Sequence, residues 1–128
     1  MSEKTQNPLI LHVVCPSCRH SLMNEKVKIK GLDSVHLKIR SEKGEDGNIY
    51  LCSAYECFAH QKDIDIREKE IVNLYCPHCH TELLTSETCQ VCGAPMVELG
   101  LEEGGFIRIC SRLGCFNHFL SPTENLRP

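Results

Sequence analysis

Ten cysteines in a chain of 128 residues fall into five close pairs. Cys15/Cys18, Cys76/Cys79 and Cys89/Cys92 are spaced C-x2-C, and Cys52/Cys57 and Cys110/Cys115 are spaced C-x4-C. A short spacing of this kind aims two thiolates at one point while backbone N–H groups brace the sulfurs. Two such turns complete a tetrahedral metal site. The competing use of paired cysteines, a disulfide framework, belongs to oxidising compartments. The N-terminal apolar run is broken by Pro8 and His12 and has no small-residue cleavage site, so it does not read as a signal peptide. No stretch approaches the roughly eighteen apolar residues that span a bilayer. The expectation is a cytoplasmic protein, without a membrane role, whose cysteines bind metal.

The elements that must position these pairs come from an internal repeat. Ile49–His60 and Ile107–His118 share the pattern I-x-[LI]-C-S-x-x-x-C-F-x-H, and each is preceded by a knuckle, Cys15-Pro16-Ser17-Cys18 in one half and Cys76-Pro77-His78-Cys79 in the other. The repeat divides the chain into a module over 9–60, a charged linker or bridging strand over 61–73 carrying Ile64, Ile66 and Val72, a second module over 74–120, and a tail over 121–128. Three alanines argue against a helical bundle, while nine isoleucines and seven valines favour strands. The 41% apolar content includes the ten cysteines, which leaves little for an ordinary core. The expected fold is small, β-rich and metal-stabilised: tandem zinc ribbons made of β-hairpins and CxxC knuckles.

The spacing assigns Cys15, Cys18, Cys52 and Cys57 to one site. Cys89, Cys92, Cys110 and Cys115 form the favoured second site, which makes Cys76/Cys79 the surplus pair. A rival arrangement joins Cys76/Cys79 to Cys89/Cys92. A third arrangement brings Cys76 and Cys79 to the repeat-equivalent His60 and His118 and gives three four-coordinate zinc sites instead of two. Without metal ligation, His60 and His118 read as core or supporting histidines. Phe58, Phe116 and Phe119, beside the second knuckles, read as packing under the sites.

Lys26–Lys30 and Val35–Arg40 alternate polar and apolar residues about a turn at Gly31–Ser34, which predicts an enlarged hairpin. One face carries Val27, Ile29, Val35, Leu37 and Ile39. The other carries Lys26, Lys28, Lys30, His36, Lys38 and Arg40, a candidate contact for nucleic acid or an acidic partner. The charge is uneven: residues 1–43 carry +4, 44–103 carry −9 and 104–128 carry +2. An acidic chain without aromatics on its basic face is a poor general phosphate binder. A protein partner is therefore the first expectation and nucleic acid the second.

Residues 89–115 resemble the C-terminal zinc ribbons of bacterial type I DNA topoisomerases. The resemblance rests on Cys89-x2-Cys92-Gly93-Ala94-Pro95-Met96-Val97, then Gly104-Gly105-Phe106, then Cys110-Ser111 and Cys115. It implies a four-cysteine zinc ribbon and contact with DNA. The closing C-x4-C differs from the family, and Glu98, Glu102 and Glu103 stand where that family is basic. Cys89–Pro95 also resembles the second knuckle of a rubredoxin, which would imply iron and electron transfer. The CPHC of residues 76–79 is an active-site tetrapeptide of some thioredoxin-like oxidoreductases, yet no βαβ pattern surrounds it here. The zinc deaminase signature is absent. No small-molecule substrate is indicated. The chain reads as a non-enzymatic zinc protein, an accessory subunit of a larger complex.

Overall fold

The computed structural model describes residues 9–55, 57, 59–115 and 118–121, the last four by backbone alone, and among them ten strands form, with the alternation of buried and more exposed residues plainest over Val35–Arg40. The strands are β1 (Val13–Val14), β2 (Met23–Ile29), β3 (Leu32–Arg40), β4 (Asp46–Cys52), β5 (His60–Lys62), β6 (Asn73–Tyr75), β7 (Leu84–Thr88), β8 (Pro95–Leu101), β9 (Phe106–Cys110) and β10 (His118–Ser121). Among the described residues there is no helix, and hence none long and apolar enough to cross a membrane.

The strands form two five-stranded antiparallel sheets. In one the order is β2-β3-β4-β5, with β6 also paired to β3. In the other it is β1-β8-β9-β10, with β7 also paired to β8. The repeat is visible strand for strand, β1 to β5 matching β6 to β10. Its first members have changed places: β1 joins the sheet of the second half, and β6 joins the sheet of the first. Each leading segment first touches its own half, through the bridges Ile10–Ala54 and Ile71–Arg112. It then crosses to the other half, with Val14 opposite Gly100 and Leu74 opposite Ile39. Gly100 permits one of these crossings, because a Cβ there would lie 3.2 Å from both the Val14 carbonyl oxygen and the Val14 side chain.

The core follows from the same exchange. Val35, Leu37, Ile39 and Ile49 of one sheet form one buried cluster with Val97, Leu99 and Ile107 of the other. Val13, Val72 and Leu74, carried by or next to the exchanged strands, complete it. Leu37 and Val97 are 0% exposed. The linker begins inside β5, which ends at Lys62, supplies Ile66 and Val72 to this core and is a strand again at Asn73.

The basic hairpin forms, but its turn lies one step earlier than the alternation suggests. Ile29 pairs with Leu32, so the connection is Lys30–Gly31, with φ of 55° and 81°. Two successive left-handed residues match the right-handed twist of the flanking strands, and Gly31 takes that conformation without steric cost. A bulge between Asn24 and Lys28 is held by the Asn24 Oδ1, which accepts from the N–H groups of Lys26 and Val27 at 2.8 and 3.1 Å.

Candidate metal centres

Each C-x2-C turn has the same backbone. The N–H of the residue after its second cysteine donates to the carbonyl of the first: Arg19 to Cys15, His80 to Cys76 and Gly93 to Cys89, at 2.8–3.0 Å. Those three residues are left-handed, with φ of 65°, 64° and 82°. The turn aims backbone N–H groups at the first sulfur. Ser17 and Cys18 donate to Cys15 Sγ, His78 and Cys79 to Cys76 Sγ, and Val91 to Cys89 Sγ, at 3.3–3.4 Å. These donors stabilise a thiolate and fix its direction.

Two clusters result: Cys15, Cys18, Cys76 and Cys79, and Cys89, Cys92, Cys110 and Cys115. The four sulfurs of each lie within 4.8 Å of one another. Cys15 Sγ is 3.8 Å from Cys79 Sγ, Cys18 Sγ is 3.8 Å from Cys76 Sγ, and Cys89 Sγ is 3.8 Å from Cys115 Sγ. Cys92 Sγ and Cys110 Sγ are closer, at 3.4 Å. A tetrahedron with metal–sulfur bonds of about 2.3 Å has sulfur–sulfur edges of about 3.8 Å. The donor set and its spacing therefore fit a four-coordinate thiolate-bound metal ion at both places. Among the described residues, these are the clusters of three or more candidate ligand side chains with that spacing.

The second cluster follows the expected partition. The first does not: Cys52 and Cys57 are replaced by Cys76 and Cys79, so the surplus pair is Cys52/Cys57. The reason is the strand exchange. Because β1 and β6 cross to opposite sheets, the two equivalent knuckles that follow them meet between the halves, with the rings of His20 and His78 stacked at 4.9 Å. A sequence signal for this exists in the repeat. The second half has a knuckle at Cys89–Cys92 between β7 and β8, whereas the first half has the Lys30–Gly31 turn between β2 and β3. Cys110/Cys115 therefore finds a partner within its own half and Cys52/Cys57 does not, which leaves the two equivalent knuckles for each other.

The surroundings tune the sulfurs unequally. The Thr81 hydroxyl, 3.1 Å from Cys79 Sγ, together with the Thr81 N–H holds Cys79 down to about 6. Burial pushes Cys76 up to about 12. In the second cluster burial raises Cys110, while the Ala94 backbone and then the Arg112 side chain lower Cys92. A metal ion held by these thiolates would displace the remaining protons, and Arg112 would offset part of the negative charge.

His60 is half-buried and borders, with Cys52 and Cys57, a cavity of about 130 Å³. It belongs to neither cluster, and Cys76/Cys79 do not meet it. The side chains of His118 and Phe119 and the residues Phe58 and Phe116 lie outside the described residues. On the basic hairpin Lys28 pairs with Asp33. Arg40 forms two hydrogen bonds to Asp46, at 2.7 and 3.2 Å, and lies 5.8 Å from the Tyr75 ring centroid. Arg40 first and Lys38 last hold the Asp46 carboxyl down, Asn48 first and Lys38 last hold that of Asp63 down, and Lys26 and Lys30 are exposed. No family model, curated protein or solved structure matches the chain.

Proposed function

We propose that this chain is a non-enzymatic zinc protein that serves as an interaction subunit of a larger assembly. The observation that carries the reading is the closure of both clusters. Four sulfurs at tetrahedral spacing leave no open coordination position for a substrate or an activated water, which a catalytic zinc requires. The metal then acts as a structural clasp, and function falls to the surface it holds rigid. Val91, at the tip of the Cys89–Cys92 knuckle, is 73% exposed, an apolar side chain suited to a protein partner. The resemblance of residues 89–115 to topoisomerase ribbons favours DNA instead, with the hairpin over 26–40 as the contact. The pairing of Lys28 and Arg40 with Asp33 and Asp46 weighs against it, because those cations are already engaged. Four thiolates suit zinc and iron alike, and the scarcity of core aromatics favours zinc over a rubredoxin-like iron centre.

The test uses the tagged, metal-loaded chain expressed in its source cells and cross-linked to its neighbours. A protein partner should be recovered, and its yield should fall about tenfold, an interface loss near 1.4 kcal/mol, in a Val91→Glu variant with unchanged metal content. Equal recovery with Val91→Glu overturns this docking surface. Retention of a short DNA or RNA at low salt, weakened by Lys26→Ala and Lys30→Ala, transfers the reading to nucleic acid. A coloured protein absorbing in the visible replaces zinc with iron.

A further inference from the structure

Among the described residues, one cysteine pair belongs to neither four-cysteine cluster. Cys52 and Cys57 occupy the positions of Cys110 and Cys115, on a loop of the same build. The Cys57 N–H donates to the Ala54 carbonyl at 3.0 Å, as the Cys115 N–H does to that of Arg112 at 3.1 Å. The loop is tied again at its base, where the Cys52 N–H donates to the Ala59 carbonyl at 3.0 Å. What differs is the opposite wall. Where the second half presents the Cys89–Cys92 knuckle, the first half closes β2 onto β3 in two residues, with Ile29 buried and Lys30 exposed at the tip. No third candidate ligand among the described residues completes a cluster with Cys52 and Cys57. Lys30 is the cation whose charge acts on Cys52, more weakly than burial, the Cys57 thiol and the Ala54 backbone.

We propose that Cys52 and Cys57 form a reversible dithiol–disulfide pair, a modification site that stays available when the other eight cysteines hold metal. Three features support this chemistry over a third metal site. Two sulfurs do not satisfy a tetrahedral ion. Lys30 places a positive charge near Cys52, which disfavours a cation there and offsets a small part of the burial that raises the thiol. The tied loop holds the two thiols at high effective concentration, and both are partly exposed to an oxidant. Burial first and the neighbouring Cys57 thiol second raise the Cys52 thiol, and the Ala54 backbone and then Lys30 partly counter them. A disulfide removes that cost because it carries no charge.

The oxidant class is a small-molecule disulfide such as glutathione disulfide. One cysteine thiolate attacks it, forming a mixed disulfide and expelling one glutathione thiolate. The second cysteine thiolate attacks the protein sulfur of that intermediate, closing the Cys52–Cys57 bond and expelling the second. The protein dithiol loses two electrons and two protons, and the glutathione disulfide takes up the two electrons.

The experiment uses the full, metal-loaded chain. A thiol reagent should titrate two cysteines, and peptide mapping should identify them as Cys52 and Cys57. Glutathione disulfide should reduce that count from two to zero, with a Cys52–Cys57 cross-link in the non-reduced map and no metal released. Cys57→Ser should stop at a glutathione adduct on Cys52. A double Cys52→Ser, Cys57→Ser variant should keep its circular dichroism and metal content and lose the titration entirely. The proposal is overturned if the pair takes up an added metal ion that the double variant does not, if oxidation links other cysteines with loss of metal, or if both thiols persist under the oxidant.

Discussion

Cys15 Sγ and Cys79 Sγ lie 3.8 Å apart although 64 positions separate them in the chain, so one metal site joins the two halves. The other cluster, from Cys89 to Cys115, lies within the second half. The two sites should therefore fail differently. Cys76→Ser and Cys92→Ser should each lower bound metal from two ions per chain to one, measured by elemental analysis. Cys76→Ser should loosen both sheets in hydrogen exchange, because it releases the knuckles following β1 and β6. Cys92→Ser should loosen β7–β10 and spare β2–β5. Cys52→Ser should leave two ions bound, which separates the observed partition from the module-internal one. A structural zinc contributes about 10–16 kcal/mol of apparent folding free energy, against a net stability of about 5–15 kcal/mol for a domain. Chelation of both ions should therefore abolish the β signal in circular dichroism, and an unchanged spectrum would show that apolar burial suffices.

Gly100 tests the strand exchange itself. A methyl group there meets the Val14 carbonyl and side chain at 3.2 Å and the Arg19 guanidinium at 2.9 Å. Arg19 can swing away, but Val14 is held in the ladder and is followed directly by Cys15. Gly100→Ala should cost about 1–3 kcal/mol, the range for forced overpacking. It should also weaken metal retention at the shared cluster more than at the second, seen as a biphasic chelator titration. A single unaltered release phase would mean that the β1–β8 pairing does not position Cys15.

What was legible in the chain was whatever depends on neighbours in sequence. The knuckles, the hairpins, the β-rich fold and the cluster of Cys89, Cys92, Cys110 and Cys115 all follow from short spacings, because local turns place those sulfurs. The partner of Cys15/Cys18 is set by which sheet β1 joins, a choice between two nearly equivalent β3-type strands that no local pattern encodes. The similarity of the halves points instead to modules that each close on themselves. The one informative asymmetry was small: Lys30–Gly31 standing where the second half has a cysteine knuckle.

Glu70 links acid stability to the crossing segment. Its side chain is 2% exposed and accepts from the N–H groups of Glu42 and Arg67 at 2.8 and 3.0 Å. The Glu42 N–H first and the Arg67 N–H second hold its carboxyl below the ordinary value of 4.5. A depressed folded-state value means that the stabilisation is complete above the unfolded value and fades as the pH falls through 4.5 towards the folded one. Glu70→Gln should therefore be less stable than the parent at neutral pH, and the gap should narrow on acidification below 4.5. Denaturant midpoints of the two metal-loaded proteins at a series of pH values measure this. A gap that stays constant with pH would show that the carboxylate charge plays no part.

The residue after each C-x2-C pair offers a last, opposed pair of substitutions. Gly93 has a φ of 82° and open space around its Cα, so Gly93→Ala adds no clash, only left-handed strain. That strain costs about 1–2 kcal/mol in an L-residue. His80 already bears it, at a φ of 64°. His80→Gly relieves the strain but returns about 0.5–1 kcal/mol of backbone entropy to the unfolded chain. Gly93→Ala should therefore lower stability by about 1 kcal/mol, while His80→Gly should gain less than that. Thermal unfolding of the metal-loaded variants checks both signs. If Gly93→Ala proved neutral, the knuckle backbone would be held by its metal alone and not by the conformational preference of the residue that closes it.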